Sequence, residues 1–269
     1  MGELDKFYKT ISNLQCMIPK DHTRYESLMI RERLIEGYKM GVTALQGLIA
    51  HGRGEMFDYV LGEKSHDFAL KAEKVAVALM LLSKRPVISV NGNTAVLVPK
   101  EISELSRLLN APLEVNVFHF SKERVDRIRK YLEKFGAEIL ANCDAELKGL
   151  SHARRIVDRR GIYVADTVLV PLEDGDRCEI LKKHGKKVIA IDLNPLSRTA
   201  MKADITIVDN IVRAIPNMIK FAKELRDASR EELEEIVNDY NNKETLRLAL
   251  ETIRDNLTKI AEGKLREII

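Results

Sequence analysis

The chain has 269 residues, enough for one large α/β domain or two smaller ones with a substantial buried core. Its 44 basic and 41 acidic side chains nearly cancel, and the small positive excess is spread along the chain, which argues against a nucleic-acid-binding protein. Cys16, Cys143 and Cys178 lack metal-ligand spacing and are typical of reduced thiols in a cytoplasmic protein. No apolar run has membrane-spanning length, and the first twenty residues are too polar for a signal peptide.

Helical patterns come first along the chain. An apolar stripe predicts a helix over Arg24–Met40, and a second helical stretch, Val42–Ala50, is expected to break at the glycines around Arg53. Asp67–Leu82 is strongly apolar and stops before a proline. Residues 1–85 are therefore expected to form an N-terminal helical segment that packs on a sheet.

Strands and helices then alternate. The predicted strands are Pro86–Val90, Leu113–Phe118, Ala137–Ala141, Thr167–Leu172, Val188–Ile191 and Ile205–Val208. Helical spacing over Lys100–Leu109 and Ser121–Phe135 connects the first three, so the pattern predicts a parallel sheet with right-handed crossovers. Two sets of three strands favour the order 3-2-1-4-5-6, which makes residues 86–228 a Rossmann-like, doubly wound α/β core.

The end of the chain is again helical. Ser229 and Glu232 have the spacing of a capping box, and apolar residues at helical spacing run from Leu246 to Ile260. These C-terminal helices, residues 229–269, offer either a dimer surface or a face that packs on their own domain. The three segments together are expected to form one integrated domain.

Polar groups follow four of the predicted strands directly. Asn91-Gly92-Asn93 and Glu173–Arg177 follow the first and fourth strands, and would flank the crevice at the topological switch point. Asp192–Thr199 and Asp209-Asn210 follow the last two. Carboxylates, amides, a hydroxyl and arginines at one sheet edge indicate a site for a charged small molecule. The glycine fingerprint of dinucleotide folds and the phosphate-loop motif are absent, which argues against a standard nicotinamide enzyme or a Walker-type ATPase.

Two features before the sheet each allow two interpretations. Arg31 lies on the apolar stripe between Leu28 and Ile35, so it either forms a structural salt bridge to a nearby glutamate or faces a ligand. The glycine-flanked arginine of His51–Glu55 either presents backbone amides to an anion or marks a simple turn between helices.

Two segments after the sheet strands are also candidates. Pro195–Ala203 is predicted as a short helix with Pro195 in its first turn and Ser197-Arg198-Thr199 facing phosphate oxygens; the alternative is a capped crossover helix with a surface arginine. Glu173–Asp176 carries three carboxylates that repel one another unless a cation is near, so it binds Mg²⁺ or an amine, or is simply a solvated helix start.

Five blocks of sequence together carry a family resemblance. They are GLIAHGRGE (47–55), VISVNGN (87–93), VPLEDGDR (170–177), IDLNPLSRTA (191–200) and IVDNIVRAIP (207–216). These blocks closely resemble the archaeal-type 4-phosphopantoate–β-alanine ligases, also called phosphopantothenate synthetases. The resemblance runs from about His22 to the C-terminus, and the residues before it look like an extension. It departs at Thr23, where the family usually has proline, and at His119-Phe120, where an aromatic residue and arginine are expected.

The resemblance implies a homodimeric ligase of coenzyme A biosynthesis. Such enzymes join 4-phosphopantoate to β-alanine and split ATP to AMP and diphosphate, and an acyl-adenylate would give the acid a leaving group. Mg²⁺ is expected to accompany ATP. The resemblance assigns ATP contacts to Arg31, Arg53, Asp192, Leu193, Asn194, Arg198, Thr199, Asn210 and Ile211.

Roles beyond ATP binding are hypotheses. Arg198 and Asp174 are the candidate catalytic residues, and the candidate substrate-binding residues are His51, Asn91, Asn93, Glu173, Asp174 and Arg177. No general base is identified. The competing interpretation is a nucleotide-binding regulatory protein without catalysis, which would need neither an amine site nor a second arginine cluster.

Overall fold

Eight short strands form two sheets in the computed structural model of the chain, which describes residues 18–263. Cys16 and most of the expected N-terminal extension therefore lie outside the described residues. The strands are β1 Pro86–Val90, β2 Leu113–Val115, β3 Ile139–Leu140, β4 Ala145–Glu146, β5 Ile156–Val157, β6 Thr167–Pro171, β7 Lys187–Ile191 and β8 Ile205–Ile207. Strands β4 and β5 pair antiparallel as a separate ribbon.

The other six strands form one parallel sheet in the order β3-β2-β1-β6-β7-β8. This is the order that the alternation of strands and helices predicted, and it confirms the Rossmann-like, doubly wound class. Strands β1 and β6 are neighbours in the sheet although they are far apart in the chain, and Val87 of β1 pairs with Val168 of β6. Both strands are buried throughout, as expected for central parallel strands covered by helices on both faces.

Eleven α-helices surround the sheet within the described part of the chain. They are α1 Tyr25–Lys39, α2 Leu45–Leu61, α3 Asp67–Leu82, α4 Gly92–Leu97, α5 Pro99–Leu108, α6 Lys122–Glu133, α7 Gly175–Lys183, α8 Arg198–Lys202, α9 Ile211–Glu224, α10 Arg230–Asn238 and α11 Asn242–Ala261. Side chains cap the helices that follow β1, β6, β7 and β8, since Asn91, Asp174, Ser197 and Asn210 each accept a backbone N–H of the following turn. None of the helices among residues 18–263 combines the length and apolarity of a membrane span.

Three sequence-based expectations are wrong in detail. Helix α2 runs unbroken through its glycines, because its packing across the sheet edge offsets their low helix propensity. Strand β2 stops at Val115 instead of Phe118, since its partner β1 ends at Val90 and offers no further backbone to pair with. The short helix after β7 begins at Arg198, because Ser197 caps it, and Pro195 lies in the preceding turn.

One apolar core joins residues from all three predicted segments. Leu34 of α1, Ile88 of β1 and Leu233 of α10 belong to the same buried cluster. In α11, Leu246 is buried against residues of α2 and α3, whereas Leu257 is exposed. The C-terminal helices therefore pack on their own domain with part of their apolar stripe. The division into segments stays a prediction.

Candidate active site

A cavity of about 800 Å³ lies at the carboxyl edge of the parallel sheet. Residues that follow β1, β6, β7 and β8 form its floor, among them Asn91, Asp174, Asp192 and Asn210. The cavity therefore includes the predicted switch point between β1 and β6, where the two halves of the sheet meet.

Helix α2 forms the opposite wall and crosses the strand ends. Near its start, Gly47 O accepts the Asn93 amide at 2.8 Å, beside the end of β1. Seven residues later, a Cβ on Gly54 would lie 3.9 Å from Leu193, beside the end of β7. Further on, Asp58 accepts the Asn210 amide at 2.8 Å, at the end of β8. A helix rises about 1.5 Å per residue, so α2 spans the neighbouring strands from β1 to β8.

The cavity brings together most of the predicted site residues. Its lining includes His51, Arg53, Asn91, Asn93, Glu173, Asp174, Asp192, Leu193, Asn194, Asn210 and Ile211. Four other predicted site residues, Arg31, Arg177, Arg198 and Thr199, do not line it. Thr199 is buried beneath the floor, where its Oγ1 donates to Glu173 O at 2.9 Å.

Arg31 forms the salt bridge that one of its two interpretations predicted. Its guanidinium donates to both carboxylate oxygens of Glu55, at 3.0 and 3.2 Å from Nε, and to the Tyr59 hydroxyl at 3.0 Å. The pair lies behind the cavity wall, beside His51. Burial lowers the pKa of His51 more than Glu55 raises it, so its imidazole is neutral at physiological pH.

The acidic segment after β6 does not form a single exposed cluster. Glu173 is buried between Arg154, at 2.7 Å, and Arg177, which also donates to Ser89. Arg177 is itself completely buried, so in this arrangement it supports Glu173 and does not contact the cavity. Asp176 pairs with Arg198 at 2.7 Å outside the lining. The expected repulsion among the three carboxylates is offset, because Arg154 pairs with both Glu173 and Asp174, Arg177 also pairs with Glu173, and Arg198 pairs with Asp176.

Asp174 is the carboxylate of this segment that is both accessible and directed to the cavity. It caps α7 through the Arg177 N–H and lies 3.4 Å from His152 Nε2. Burial acts to raise its pKa, but hydrogen bonds and the charges of Arg154 and His152 outweigh it, so the pKa of Asp174 is below its usual value. The side chain is therefore an anion at neutral pH, and it faces the cavity while it pairs with Arg154 at 3.4 Å.

His152, Asp174 and Asp176 place potential metal-ligand atoms within 4.8 Å of one another. Asp176 is engaged by Arg198, which leaves Asp174 as the carboxylate on the cavity side. Mg²⁺ held together with a nucleotide needs only one or two carboxylates, because phosphate and water oxygens complete its coordination. The residues present therefore fit a phosphate-bound Mg²⁺, and do not form an all-protein metal cage.

The ends of β7 and β8 form a second polar region of the cavity. Asp192 accepts the Asn194 N–H at 2.9 Å and the Ser197 hydroxyl at 2.5 Å, which shapes the turn into α8. Burial raises the pKa of Asp192. Arg213 pairs with Asp209 and with Asp58 of α2, at 2.7 and 2.5 Å. These contacts fix the loops that carry Leu193, Asn194 and Asn210.

At the switch point, Asn91 connects the two halves of the sheet. Its Nδ2 donates to the carbonyl oxygens of Pro171 and Leu172, at 3.0 and 3.2 Å, and its Oδ1 accepts from Thr94. These bonds use the hydrogen-bonding capacity of the side-chain amide. Asn91 therefore lines the cavity as a structural residue, and the Asn91 amide has no donor left for a substrate.

Two arginines of the cavity lining were not predicted from the sequence. Arg154 lies in the short turn directly before β5, in a stretch without a recognisable sequence pattern, and Arg124 lies on α6. A signal for Arg124 was available, because it follows the cap residue Ser121 by three positions and so lies in the first turn after β2. The position of Arg154 in the cavity is visible only in the three-dimensional structure, because its loop has no regular sequence pattern.

Substitution by alanine should have opposite effects on stability at Gly175 and at Gly52. A Cβ at Gly175 would overlap the Cβ of Arg198 and lie 3.2 Å from its carbonyl carbon, so Gly175→Ala should cost about 1–3 kcal/mol of unfolding free energy. A Cβ at Gly52 meets nothing within 4 Å on helical backbone, so Gly52→Ala should stabilise by up to about 1 kcal/mol. Urea unfolding measures both. Equal effects of the two changes would refute this account of the α7–α8 contact.

Glu73 predicts a pH dependence of stability. It is completely buried on α3 near Asp209, and burial, with the negative charge of Asp209, raises its pKa to about 9. The folded state therefore keeps a proton that the unfolded state releases above its ordinary pKa. Stability falls as the pH rises through this window, by about 1.4 kcal/mol per unit.

Replacing this carboxyl by an amide removes the titration. Between about pH 6 and pH 8, Glu73→Gln should gain about 2–3 kcal/mol of unfolding free energy relative to wild type. Urea titrations at both pH values test this, with Glu224→Gln, an exposed partner of Lys74, as the control that should show no such gain. Parallel pH profiles for wild type and Glu73→Gln would contradict the prediction. Glu114, another buried carboxyl with a raised pKa of about 8, cancels in this comparison.

A doubly wound parallel sheet with a polar cavity at its switch point defines a Rossmann-like protein that binds a charged small molecule. Comparison with known proteins narrows this class. Residues 68–256 match the family described as phosphopantothenate/pantothenate synthetase. The chain belongs to this family.

Several relatives are named 4-phosphopantoate–β-alanine ligase. Those of Thermococcus kodakarensis and Thermococcus onnurineus are 56% and 55% identical to the chain, over 91% of its length and 95% of theirs. The ligase of Methanosarcina mazei is 54% identical over 91% of the chain and 97% of its own length. The family resemblance drawn from the five sequence blocks is thereby confirmed.

Proposed function

We propose that this chain is an ATP-dependent ligase that condenses 4-phosphopantoate with β-alanine to 4'-phosphopantothenate, releasing AMP and diphosphate, in coenzyme A biosynthesis. The observation that carries the proposal is the identity of 54–56% to three ligases of that name over 91% of the chain. The cavity adds support, because its lining contains both arginines and carboxylates and because it is large enough for more than one small molecule.

In this proposal ATP binds at the β7–β8 side. The loops with Asp192-Leu193-Asn194 and Asn210-Ile211 form that side, and Arg53 of α2 faces it from across the cavity. Arg53 has no carboxylate partner among the described residues, so its charge is available to a triphosphate. Arg31 and Arg198 are paired with Glu55 and Asp176, and would exchange these partners for phosphate when ATP binds.

The reaction has two steps. A carboxylate oxygen of 4-phosphopantoate attacks the α-phosphorus of ATP, a bond to the β-phosphate oxygen breaks, and diphosphate leaves. The neutral amine of β-alanine then attacks the acyl carbon, the bond from this carbon to the oxygen shared with AMP breaks, and AMP leaves with the electron pair of that bond. The nitrogen releases one proton to water as the amide forms. Arginine side chains stabilise the charge that develops on the phosphates, and the cavity holds amine and acyl group together.

Asp174 would bind the ammonium group of β-alanine or a Mg²⁺ ion that accompanies ATP. Its carboxylate is ionised, faces the cavity and lies at the end of β6, between the two sides of the site. Mg²⁺ bound there would neutralise phosphate charge. Substituting Asp174 and measuring the apparent KM for β-alanine and for Mg²⁺ distinguishes the two roles, and no change in either would remove Asp174 from both.

A product assay tests the function itself. The purified chain is incubated with ATP, 4-phosphopantoate and β-alanine, and nucleotides are separated by chromatography. The expected result is formation of AMP that requires both 4-phosphopantoate and β-alanine. ADP would instead indicate an acyl-phosphate mechanism, and nucleotide binding without turnover would favour the regulatory protein.

The proposal extends to the homodimer and to a cytoplasmic location, where ATP is available as co-substrate. Light scattering on the eluting peak of a size-exclusion column measures the mass in solution. A mass of twice the 30.6 kDa chain is expected, and a monomer would contradict this part of the proposal.

A further inference from the structure

Arg124, like Arg53, is a cationic side chain of the cavity that has no carboxylate partner among residues 18–263. Arg124, half-buried on the first turn of α6, lines the cavity beside Gly92. Its Nε donates to Val42 O at 3.2 Å and its Nη1 to His119 O at 3.3 Å. No carboxylate of the described residues lies within 4.0 Å of the Arg124 guanidinium, the distance limit for an ion pair. Two neutral carbonyls position the guanidinium and leave its charge uncompensated.

A second arginine increases the positive potential at this point. Arg154 is buried and lines the same cavity. Its Nε lies 3.4 Å from Asp174 Oδ2 but makes no hydrogen bond among the described residues. Burial lowers the pKa of Arg124, and the charge of Arg154 lowers it further. Glu173 is shared between Arg154 and Arg177, so it does not neutralise the group. The guanidiniums of Arg124, Arg154 and Arg177 therefore face two carboxylates, Glu173 and Asp174, and the positive charge that is left over attracts an anion from outside.

The place of Arg124 in the fold separates it from the proposed nucleotide side. A Cβ at Gly92 would lie 2.9 Å from Arg124 Nη2, so the guanidinium lies over the start of α4, just past the end of β1. The Asp192 and Asn210 loops follow β7 and β8, two and three strands further along the sheet. With about 4.8 Å between neighbouring strands, roughly 10 to 14 Å separates the two ends of the cavity.

A molecule with an anionic group at each end fits between them. We propose that Arg124, supported by Arg154, binds the phosphate group of 4-phosphopantoate and so selects the phosphorylated acid, an inference that rests on the function proposed above. The carboxylate at the other end of the acid then points along the sheet edge toward the α-phosphate of ATP. A guanidinium with free N–H donors matches the oxygens of a phosphate better than any neutral group of this wall.

The experiment compares two acids and three forms of the protein. Wild type, Arg124→Gln and Arg127→Gln are assayed with 4-phosphopantoate and with pantoate, which lacks the phosphate. Arg127 lies one turn further along α6 and pairs with Glu123 outside the cavity, so it is a matched control. Arg124→Gln should raise the KM for 4-phosphopantoate by about tenfold to a hundredfold and leave the KM for ATP unchanged. Arg127→Gln should resemble wild type.

The pantoate arm identifies the group that Arg124 contacts. If Arg124 binds the phosphate, the substitution has no further effect on the slow reaction with pantoate. Equal losses on both acids would mean a structural role, and a raised KM for ATP would place the nucleotide at Arg124; either result overturns the proposal. If the wild type makes no AMP with 4-phosphopantoate, the proposed function fails first and separately.

Folding of the variant is checked by its thermal unfolding temperature. Should Arg124→Gln be unstable, Arg124→Lys keeps the charge and loses the two-pronged geometry. It should raise the KM for 4-phosphopantoate by about tenfold, again without effect on pantoate. Calorimetric titration of each soluble variant with 4-phosphopantoate alone gives the same comparison without turnover. Unchanged affinity in that titration overturns the proposal.

Discussion

Glu173→Ala should lower the free energy of unfolding by about 3–5 kcal/mol. The Glu173 carboxylate is buried between the guanidiniums of Arg154 and Arg177, and Arg177 is completely buried. Removing the carboxylate leaves the buried Arg177 without an acidic partner among the described residues and leaves Arg154 with Asp174 alone, at 3.4 Å. The cost of this desolvated charge exceeds the loss of the contacts themselves. Urea unfolding monitored by circular dichroism measures the change.

Glu179→Ala is the matched control for this loss. Glu179 lies on the same helix, α7, and pairs with two basic residues, Arg198 at 3.3 Å and Lys202 at 3.2 Å, but at the surface. Exposed pairs of this kind contribute about 0–1 kcal/mol. The two substitutions remove the same side chain from similar numbers of charges and differ in burial. A loss below about 1 kcal/mol for Glu173→Ala would show that water reaches the buried cluster.

Arg198→Ala should reduce turnover by about a hundredfold while the protein stays folded. Arg198 begins α8, directly after Ser197 at the cavity edge, and its exposed guanidinium pairs with Asp176 and Glu179. Because these pairs are exposed and screened by water, their loss should leave the stability close to that of the wild type. A large fall in activity would therefore come from a contact that the side chain makes to ATP phosphates during the reaction.

Lys202→Ala separates that contact from the surface ion pairs. Lys202 lies on the same short helix and pairs with the same Glu179, but lies outside the cavity lining. Its substitution should leave turnover at the wild-type level. Steady-state kinetics and thermal unfolding of both variants are compared. Equal losses of activity and stability in Arg198→Ala would make Arg198 structural, and full activity would remove it from the ATP site.

Strand order was predictable because parallel strands that are buried on both faces have continuous apolar sequences. The run Thr167–Pro171 is apolar throughout and is followed at once by polar residues, which predicts both the strand and the edge at which it ends. Alternation with helices then restricts the topology to a few arrangements. The unbroken course of α2 was not predictable, because two of its three glycines, Gly47 and Gly54, lie beside residues far along the chain, Asn93 and Leu193.

The site was predictable in position and less so in its pairings. Strand ends located Asp174, Asp192 and Asn210 at the cavity, because every strand of a parallel sheet delivers its carboxyl end to the same edge. The sequence does not show that Arg177 is buried beneath Glu173, since that depends on Arg154 from an irregular loop. The uncompensated charge of Arg124 is likewise visible only when the neighbours of its guanidinium are known.

The two hydrogen bonds from Asn91 to Pro171 and Leu172 fix the width of the crevice between the halves of the sheet. A bulkier acid cannot be accommodated by spreading β1 and β6, because both bonds would have to break. Room for it must come from the wall that faces the strand ends, where side chains of α2 such as Met56 line the cavity. Efforts to change the size of the accepted acid should therefore begin with substitutions on α2, such as Met56 and Phe57, and keep Asn91.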